Sequence, residues 1–312
     1  MALDVGIVGL PGSGKTALFN ALTRVGASEH ERREHVGMAP IADERLERVA
    51  AVERSAKVTP AAIRVVDVPG TGPALLGNLR RSDALLMVVR DDDELESLRL
   101  ELLVADRDHV EKRLERVRSQ AKSGDPKLQQ EAGELEELLR HLDAGGSMGD
   151  WGRAVPAELE PLTTKPAVVV VNGAGSGASD ESSPILALDV ELEEELAELD
   201  PEEAAAFRDG GRSALEEVVV RLKDALDLIV FFTAGETEAR AWTLRRGQTA
   251  LEAAETIHTD IARGFIRCEV IRWDDLVECG SRAEAAKRGL QRLEGKDYAV
   301  EDGDVLNIRF NV

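Results

Sequence analysis

Gly9-Leu10-Pro11-Gly12-Ser13-Gly14-Lys15-Thr16 sets two glycines five positions apart and follows the second with a lysine and a hydroxyl residue. That is the P-loop pattern. Glycines let the backbone wrap a phosphate with several N–H groups turned inward. The loop then hands the phosphate to a helix N-terminus, where the helix dipole also favours negative charge. Lys15 reaches the β- and γ-phosphates, and the Thr16 hydroxyl holds Mg²⁺. The flanks suit this reading. Residues 5–10 form a short apolar run that ends in glycine and proline, a buried strand, and residues 16–24 carry Leu18, Phe19 and Leu22 at helical spacing. Gly9, Pro11, Gly12, Ser13, Gly14, Lys15, Thr16 and Ala17 are therefore the expected nucleotide contacts.

Working outward, residues 63–68, 84–89 and 167–171 are further apolar runs without polar alternation. Burial on both faces explains that texture and predicts a parallel sheet covered by helices. Asp67-Val68-Pro69-Gly70 ends the second of these four strands. In P-loop switch proteins an Asp at this place touches Mg²⁺ through water, and the Gly N–H senses the γ-phosphate. Lys15 and Asp67 are the expected catalytic groups, with Thr16 and Asp67 at the metal. Asn172, Gly173 and Ala174 follow the fourth strand, where such proteins read the base. The run Asn172-Gly173-Ala174-Gly175 offers no carboxylate to hold guanine.

Between the third and fourth strands, residues 93–142 are dense in Leu, Glu, Arg and Lys, with Leu95, Leu98, Leu102, Val110, Leu114, Val117, Leu135, Leu138, Leu139 and Leu142 at three/four spacing. Gly124-Asp125-Pro126 interrupts them, which predicts an inserted pair of antiparallel helices. Past residue 228, short strand-like runs surround one helix at 250–259, a small α+β unit.

The chain has 312 residues, 43% of them apolar, enough for a core and for about two domains. Its 39 basic and 60 acidic residues give a net charge of −21. Such acidity speaks against coating DNA or an anionic membrane, and 3% aromatics against a stacked-base surface. No motif for sequence-specific DNA binding is present. Two cysteines are too few for a disulfide framework, no apolar run approaches bilayer length and no secretory signal opens the chain, so a cytoplasmic protein with no membrane role is expected. Locally, residues 107–127 and 281–296 are basic, two candidate faces for rRNA phosphate.

The chain resembles the YchF/Obg-like ATPases, a translation-factor-class branch of P-loop GTPases. The resemblance rests on Gly9-Leu10-Pro11 with Gly14-Lys15, on Leu18-Phe19-Asn20-Ala21-Leu22-Thr23, on Asp43-Glu44-Arg45-Leu46, on Asp67 to Gly70 and on Val88-Val89-Arg90. C-terminally it rests on Phe231-Phe232-Thr233-Ala234-Gly235, Glu238-Ala239-Arg240-Ala241-Trp242-Thr243, Gly264-Phe265-Ile266-Arg267 and Glu294-Gly295-Lys296-Asp297-Tyr298. It implies an α/β fold: a P-loop NTPase parallel sheet (1–92 and 163–225), an inserted helical hairpin (93–162) and a C-terminal ubiquitin-like β-grasp, or TGS, domain (226–312). It also implies ATP as ligand, with GTP as a weaker one, Mg²⁺ as cofactor, and the ribosome, through rRNA and ribosomal proteins, as partner.

The chain departs from that pattern. Gly12 stands where the family has an Asn linked to potassium-assisted hydrolysis. Residues 26–37 contain no Thr to cap Mg²⁺. Met87 stands in place of a His that is a candidate for positioning the attacking water, Thr71 in place of a hydrophobic residue, and Gly175 in place of the Glu of the base motif. Phosphate binding is kept while switch, water-positioning and base-reading elements are eroded. Two readings follow: a slow NTPase switch, or a nucleotide-binding scaffold without significant hydrolysis.

Overall fold

Two six-stranded sheets organise the chain in a computed structural model that describes residues 3–27, 34–68, 72–122, 124–173, 185–207 and 213–311. In chain order the elements are β1 (Asp4–Val8), α1 (Lys15–Thr23), β2 (His35–Pro40), α2 (Glu44–Glu53), β3 (Val58–Thr59), β4 (Ala62–Asp67), α3 (Pro73–Leu79), β5 (Ala84–Val89), α4 (Asp92–Ala121) and α5 (Pro126–Asp143). Then come β6 (Ala167–Asn172), β7 (Ile185–Leu188), α6 (Val190–Glu198), α7 (Pro201–Phe207), α8 (Ala214–Ala225), β8 (Leu228–Ala234), β9 (Ala239–Arg245), α9 (Ala250–Ile257), α10 (Thr259–Arg263), β10 (Phe265–Arg272), α11 (Trp273–Cys279), α12 (Arg282–Lys287), β11 (Arg292–Glu294) and β12 (Asp304–Phe310).

The first sheet has the order β2-β4-β1-β5-β6-β7, and the pairs β1/β5, β5/β6 and β6/β7 are parallel. All six residues of β5 are buried, as a central strand covered on both faces requires. The four strands expected from apolar runs are all present. The sheet also holds β2 and β7, which the sequence does not announce. In β2, His-Val-Gly-Met-Ala-Pro alternates buried and exposed residues and ends on a proline, the pattern of an edge strand rather than a buried one.

α4 and α5 form the inserted hairpin. Asp91 and Asp125 cap their N-termini by accepting from the Glu94 and Lys127 N–H groups. The 30 residues of α4 pack in two places. Near its start, Leu95, Leu98 and Leu102 join the cluster of Val8, Leu85, Met87 and Val169 over the sheet. Farther on, Val110, Leu114 and Val117 pack with Ala132, Leu135, Leu138 and Leu142 of α5. An ion pair anchors the hairpin. Arg80, the residue after α3, donates to Asp106 of α4 (2.7 Å) and to the carbonyls of Ala105 (2.8 Å), Leu159 (3.3 Å) and Glu160 (3.1 Å). Asp106 also accepts from the N–H groups of Leu162 and Thr163 and from the Thr163 hydroxyl. Both side chains are buried, so each is satisfied internally.

Contacts divide the chain into two compact units. One joins Leu3–Gly37 to Val65–Ala214, and the other joins Met38–Arg64 to Leu215–Val312. These boundaries differ from the sequence-based ones. The hairpin falls with the first sheet, because α4 shares its core. Residues 38–64 and 215–225 fall with the C-terminal sheet.

That second sheet has the order β11-β10-β12-β8-β9-β3. The hairpin β8/β9 and the pairs β10/β12 and β10/β11 are antiparallel, β12 runs parallel to β8, and α9 covers the core of Ile229, Phe231, Cys268 and Val270. This is the β-grasp arrangement, with two parallel central strands flanked by antiparallel neighbours. Its outer edge is borrowed from far upstream, since β3 pairs in parallel with β9. Helix α2 is fastened beside it. Arg45 is held by Asp43 (2.8 Å) and Asp302 (2.6 Å) and lies 5.5 Å from the Phe232 ring, Arg48 covers the Trp273 ring, and Glu53 pairs with Arg282 at 2.9 Å. Burial pushes the Cys268 thiol up to about 12, so it is an inert core group, while Cys279 is half-buried. Among the described residues no helix is long and apolar enough to cross a membrane.

Candidate nucleotide-binding site

β1 leads into the glycine loop and α1 leaves it, so the loop sits at the C-terminal end of the parallel sheet, where open α/β sheets bind ligands. Two glycines are required sterically. A Cβ on Gly9 would stand 2.2 Å from the Val88 carbonyl oxygen, so only glycine lets the loop pass this close to β5. Gly14 adopts φ +95° as the N-cap of α1, and a Cβ there would stand 2.4 Å from the Asn172 amide. Because glycine caps the helix, no side-chain hydrogen bond closes off its N-terminus, and no acidic residue lies in its first turn. The first intrahelical bond runs from the Leu18 N–H to the Gly14 carbonyl. Such an end presents N–H groups and positive dipole to an anion.

Lys15 donates its ammonium to the Leu10 carbonyl at 2.9 Å, folding back along the loop. Thr16 donates its hydroxyl to Asp67 at 3.0 Å, and both residues are buried. The sequence places them 51 positions apart, and the fold brings them together at the ends of α1 and β4. Asn172 donates its amide to the Ser13 carbonyl (3.0 Å) and accepts from the Val190 N–H (3.1 Å). Its side chain therefore braces the loop against the start of α6. Gly173 bonds through its N–H to Leu188, while Pro11 and Gly12 are exposed and Gly12 has φ +77° with open space around it. Gly70 and Ala174 lie outside the described residues, as do Thr71, Gly175 and the arginines at 32 and 33.

The donor set suits Mg²⁺ carried in with a nucleotide. A threonine hydroxyl and a carboxylate are hard oxygen ligands, and Mg²⁺ fills the rest of an octahedron from phosphates and water. Among the described residues no cluster of three or more acidic, His or Cys side chains offers an all-protein cage. Met87, at the place of the water-positioning His, is buried in the cluster with Leu75 and Leu76. A further residue joins the site without sequence warning. His35 at the start of β2 is 6% exposed, its Nδ1 3.9 Å from the Asp67 carboxylate and its ring 6.2 Å from that of Phe19. A single histidine in a charged stretch carries no motif, so only the fold reveals it.

The two basic stretches look different once folded. In the hairpin, Arg113 pairs with Glu131 (2.6 Å), Arg118 with Glu136 (2.8 Å), and Arg107 with Glu111 (2.6 Å) and Asp143 (3.0 Å). Counting both helices, residues 107–143 carry eight Lys/Arg against nine Asp/Glu, so the positive charge of the first is cancelled by the second. In the other stretch, Arg282 is held by Glu53, Arg288 by Glu284, and Arg292 donates to the Tyr298 hydroxyl. In both stretches these arginines already have partners within the protein.

The same architecture recurs in known proteins. "Ribosome-binding ATPase YchF" of Bacillus subtilis is 34% identical over an alignment that covers all of both chains. The chain belongs to the YchF family. YchF proteins of Haemophilus influenzae and Escherichia coli O157:H7 are 34% and 32% identical, again over the full length of both chains. The YchF-GTPase C-terminal model, described as a protein of unknown function (DUF933), matches residues 228–311, and a model described as a 50S ribosome-binding GTPase matches residues 4–130. The solved structure of the Schizosaccharomyces pombe YchF GTPase superposes with a TM-score of 0.82 at 26% identity, covering 98% of this chain and 97% of that one. The B. subtilis alignment runs over 371 positions against the 312 residues here, so it opens gaps within this chain.

Proposed function

We propose that this chain is a magnesium-dependent nucleotide-binding protein that hydrolyses ATP slowly, accepts GTP less well, and works as a ribosome-associated switch. The observation that carries the reading is the Thr16–Asp67 contact at the uncapped start of α1, a hydroxyl and a carboxylate held where a P-loop delivers phosphates. ATP and ribosome association are carried over from the relatives named ribosome-binding ATPases. Bound Mg²⁺ neutralises charge on the phosphate oxygens. Lys15 turns from the Leu10 carbonyl to the β- and γ-phosphates, and the loop N–H groups hold the phosphate chain in place, which is most of what phosphoryl transfer asks of a protein.

Turnover is expected to be slow because Met87 offers no hydrogen bond to an attacking water and is committed to the core. The same observation favours the second reading, a binder without significant hydrolysis. Calorimetric titration of the purified chain with Mg-ATP and Mg-GTP decides the first claim, and absence of binding for both overturns it. Phosphate release in the absence of any partner separates the two readings: a slow signal abolished by Lys15→Ala supports the switch. Co-sedimentation with ribosomes, with and without nucleotide, tests the association.

A further inference from the structure

We propose that the helical hairpin carries a docking groove for a basic peptide of a partner protein, one that presents an apolar side chain beside lysine or arginine. The groove lies between α5 and the chain that returns from it, with a volume of about 270 Å³. Pockets for drug-sized ligands run from roughly 300 to 1,000 Å³, so this one suits one or two side chains. Leu135 and Leu138 of α5 line it and also belong to the hairpin core, and Trp151 and Ala154 line it from the returning chain. The indole is held in place before anything docks. Arg153 lies 5.0 Å from the centre of the Trp151 ring and pairs with Glu137 at 2.6 Å. The His141 ring stands 5.3 Å from the same indole, and its Nε2 donates to the Ser147 carbonyl. A wall fixed by its own neighbours loses little freedom on binding.

Charge selects the occupant. Residues 126–143 carry two Lys/Arg against five Asp/Glu, and two of the five, Glu131 and Glu134, line the groove. Both bonds from Arg113 end on a single oxygen of Glu131, its Oε1. Glu134 accepts from Gln130 at 2.9 Å and, among the described residues, has no cation partner. An apolar slot beside an unneutralised carboxylate attracts a cationic residue next to an apolar one and repels phosphate. A basic peptide therefore fits where a nucleic acid does not. The contact of Arg153 with Trp151 and Glu137 shows the same chemistry inside the protein, a guanidinium held by an aromatic ring and a carboxylate at once.

The test uses the full chain without nucleotide, so its outcome is separate from the magnesium-nucleotide reading above. A fluorescein-labelled hexapeptide, Lys-Arg-Leu-Phe-Lys-Arg, is titrated by anisotropy at low salt. One control peptide replaces Leu-Phe by Ser-Ser, another replaces the four cations by Glu, and a uridine hexanucleotide represents RNA. The first peptide should bind, and both control peptides should bind more weakly by about tenfold or more. Glu134→Lys should lose about tenfold in affinity, and Ala154→Phe, which fills the groove, should lose as much. Both positions are exposed, so thermal melts of the two variants should match wild type. The chain's three tryptophans give three indole N–H resonances, and the peptide should shift the one missing from Trp151→Phe. The affinity comparison stands without that assignment. No binding up to about 1 mM peptide, equal binding of the serine peptide, or undiminished affinity in both variants overturns the proposal. A shift confined to the other two tryptophans overturns it as well, and so does a Trp151 shift produced by the uridine hexanucleotide.

Discussion

Two polar networks lie in the same unit, and they are built in opposite ways. Around Arg80 and Asp106 the partners come from the protein itself: Asp106 takes four donors, from Arg80, from the Leu162 and Thr163 N–H groups and from the Thr163 hydroxyl, and the guanidinium also reaches three carbonyls. Around Gly9–Thr16 the helix starts without a side-chain cap, its lysine is bent onto a nearby carbonyl, and its threonine and aspartate lean on each other. A closed network fixes structure, and an open one is shaped for something that arrives. The contrast separates a framework ion pair from a binding site without appeal to residue type, since both contain charged groups in buried places.

The contrast breaks most visibly at its closed end. Asp106→Ala strands a buried guanidinium and should destabilise the fold by about 3–5 kcal/mol in denaturant titrations, with nucleotide affinity preserved in the fraction that remains folded. If nucleotide affinity falls instead while stability holds, the assignment of the two networks is reversed. Lys15→Ala is the mirror experiment. It should weaken ATP by about 1.5–3 kcal/mol, roughly 10- to 150-fold in calorimetry, and leave the melting temperature of the ligand-free protein alone. Asn172→Ala probes the join between loop and sheet. Loss of its two hydrogen bonds should relax the loop and cost about 1 kcal/mol of ATP affinity, close to a fivefold change in the same titration. The smallest effect belongs to the hairpin surface. Arg113→Glu disrupts one half-buried pair and should shift stability by about 1 kcal/mol in thermal melts, and it should leave ribosome co-sedimentation unchanged because Glu131 and Glu136 of α5 offset the positive charge of α4. A clear loss of sedimentation would restore the hairpin as a contact.

The parts legible in the sequence share one property: their evidence is local. The loop announces itself in eight residues, the buried parallel strands by unbroken apolar runs, the hairpin by leucine spacing with Gly124-Asp125-Pro126 between its arms. What stayed hidden depends on distant partners. β3 is two residues long and exists as a strand because Val58 and Thr59 find Ala239 and Arg240. α2 reads Glu-Arg-Leu-Glu-Arg-Val-Ala-Ala-Val-Glu, an ordinary charged helix, and nothing in it says that Arg45 will meet Asp302. The basic stretch at 107–127 shows the same dependence in reverse, since a charge count along the chain omits the acidic helix that folds back across it. His35 belongs with these: its meaning comes from Asp67, which sits on another strand.

The borrowed edge of the C-terminal sheet has a consequence in time. Arg45 precedes Asp302 by 257 residues. At about 5–20 residues per second, a ribosome making this chain leaves α2 waiting roughly 13–50 s for its partner. Throughout that interval Leu46, Val49 and Ala50, all buried in the finished protein, have no finished surface to cover them. The nascent chain is therefore expected to need shelter early and to complete its C-terminal sheet only at release, so that a shortened product lacking the last strands would also leave its own residues 44–59 unfolded.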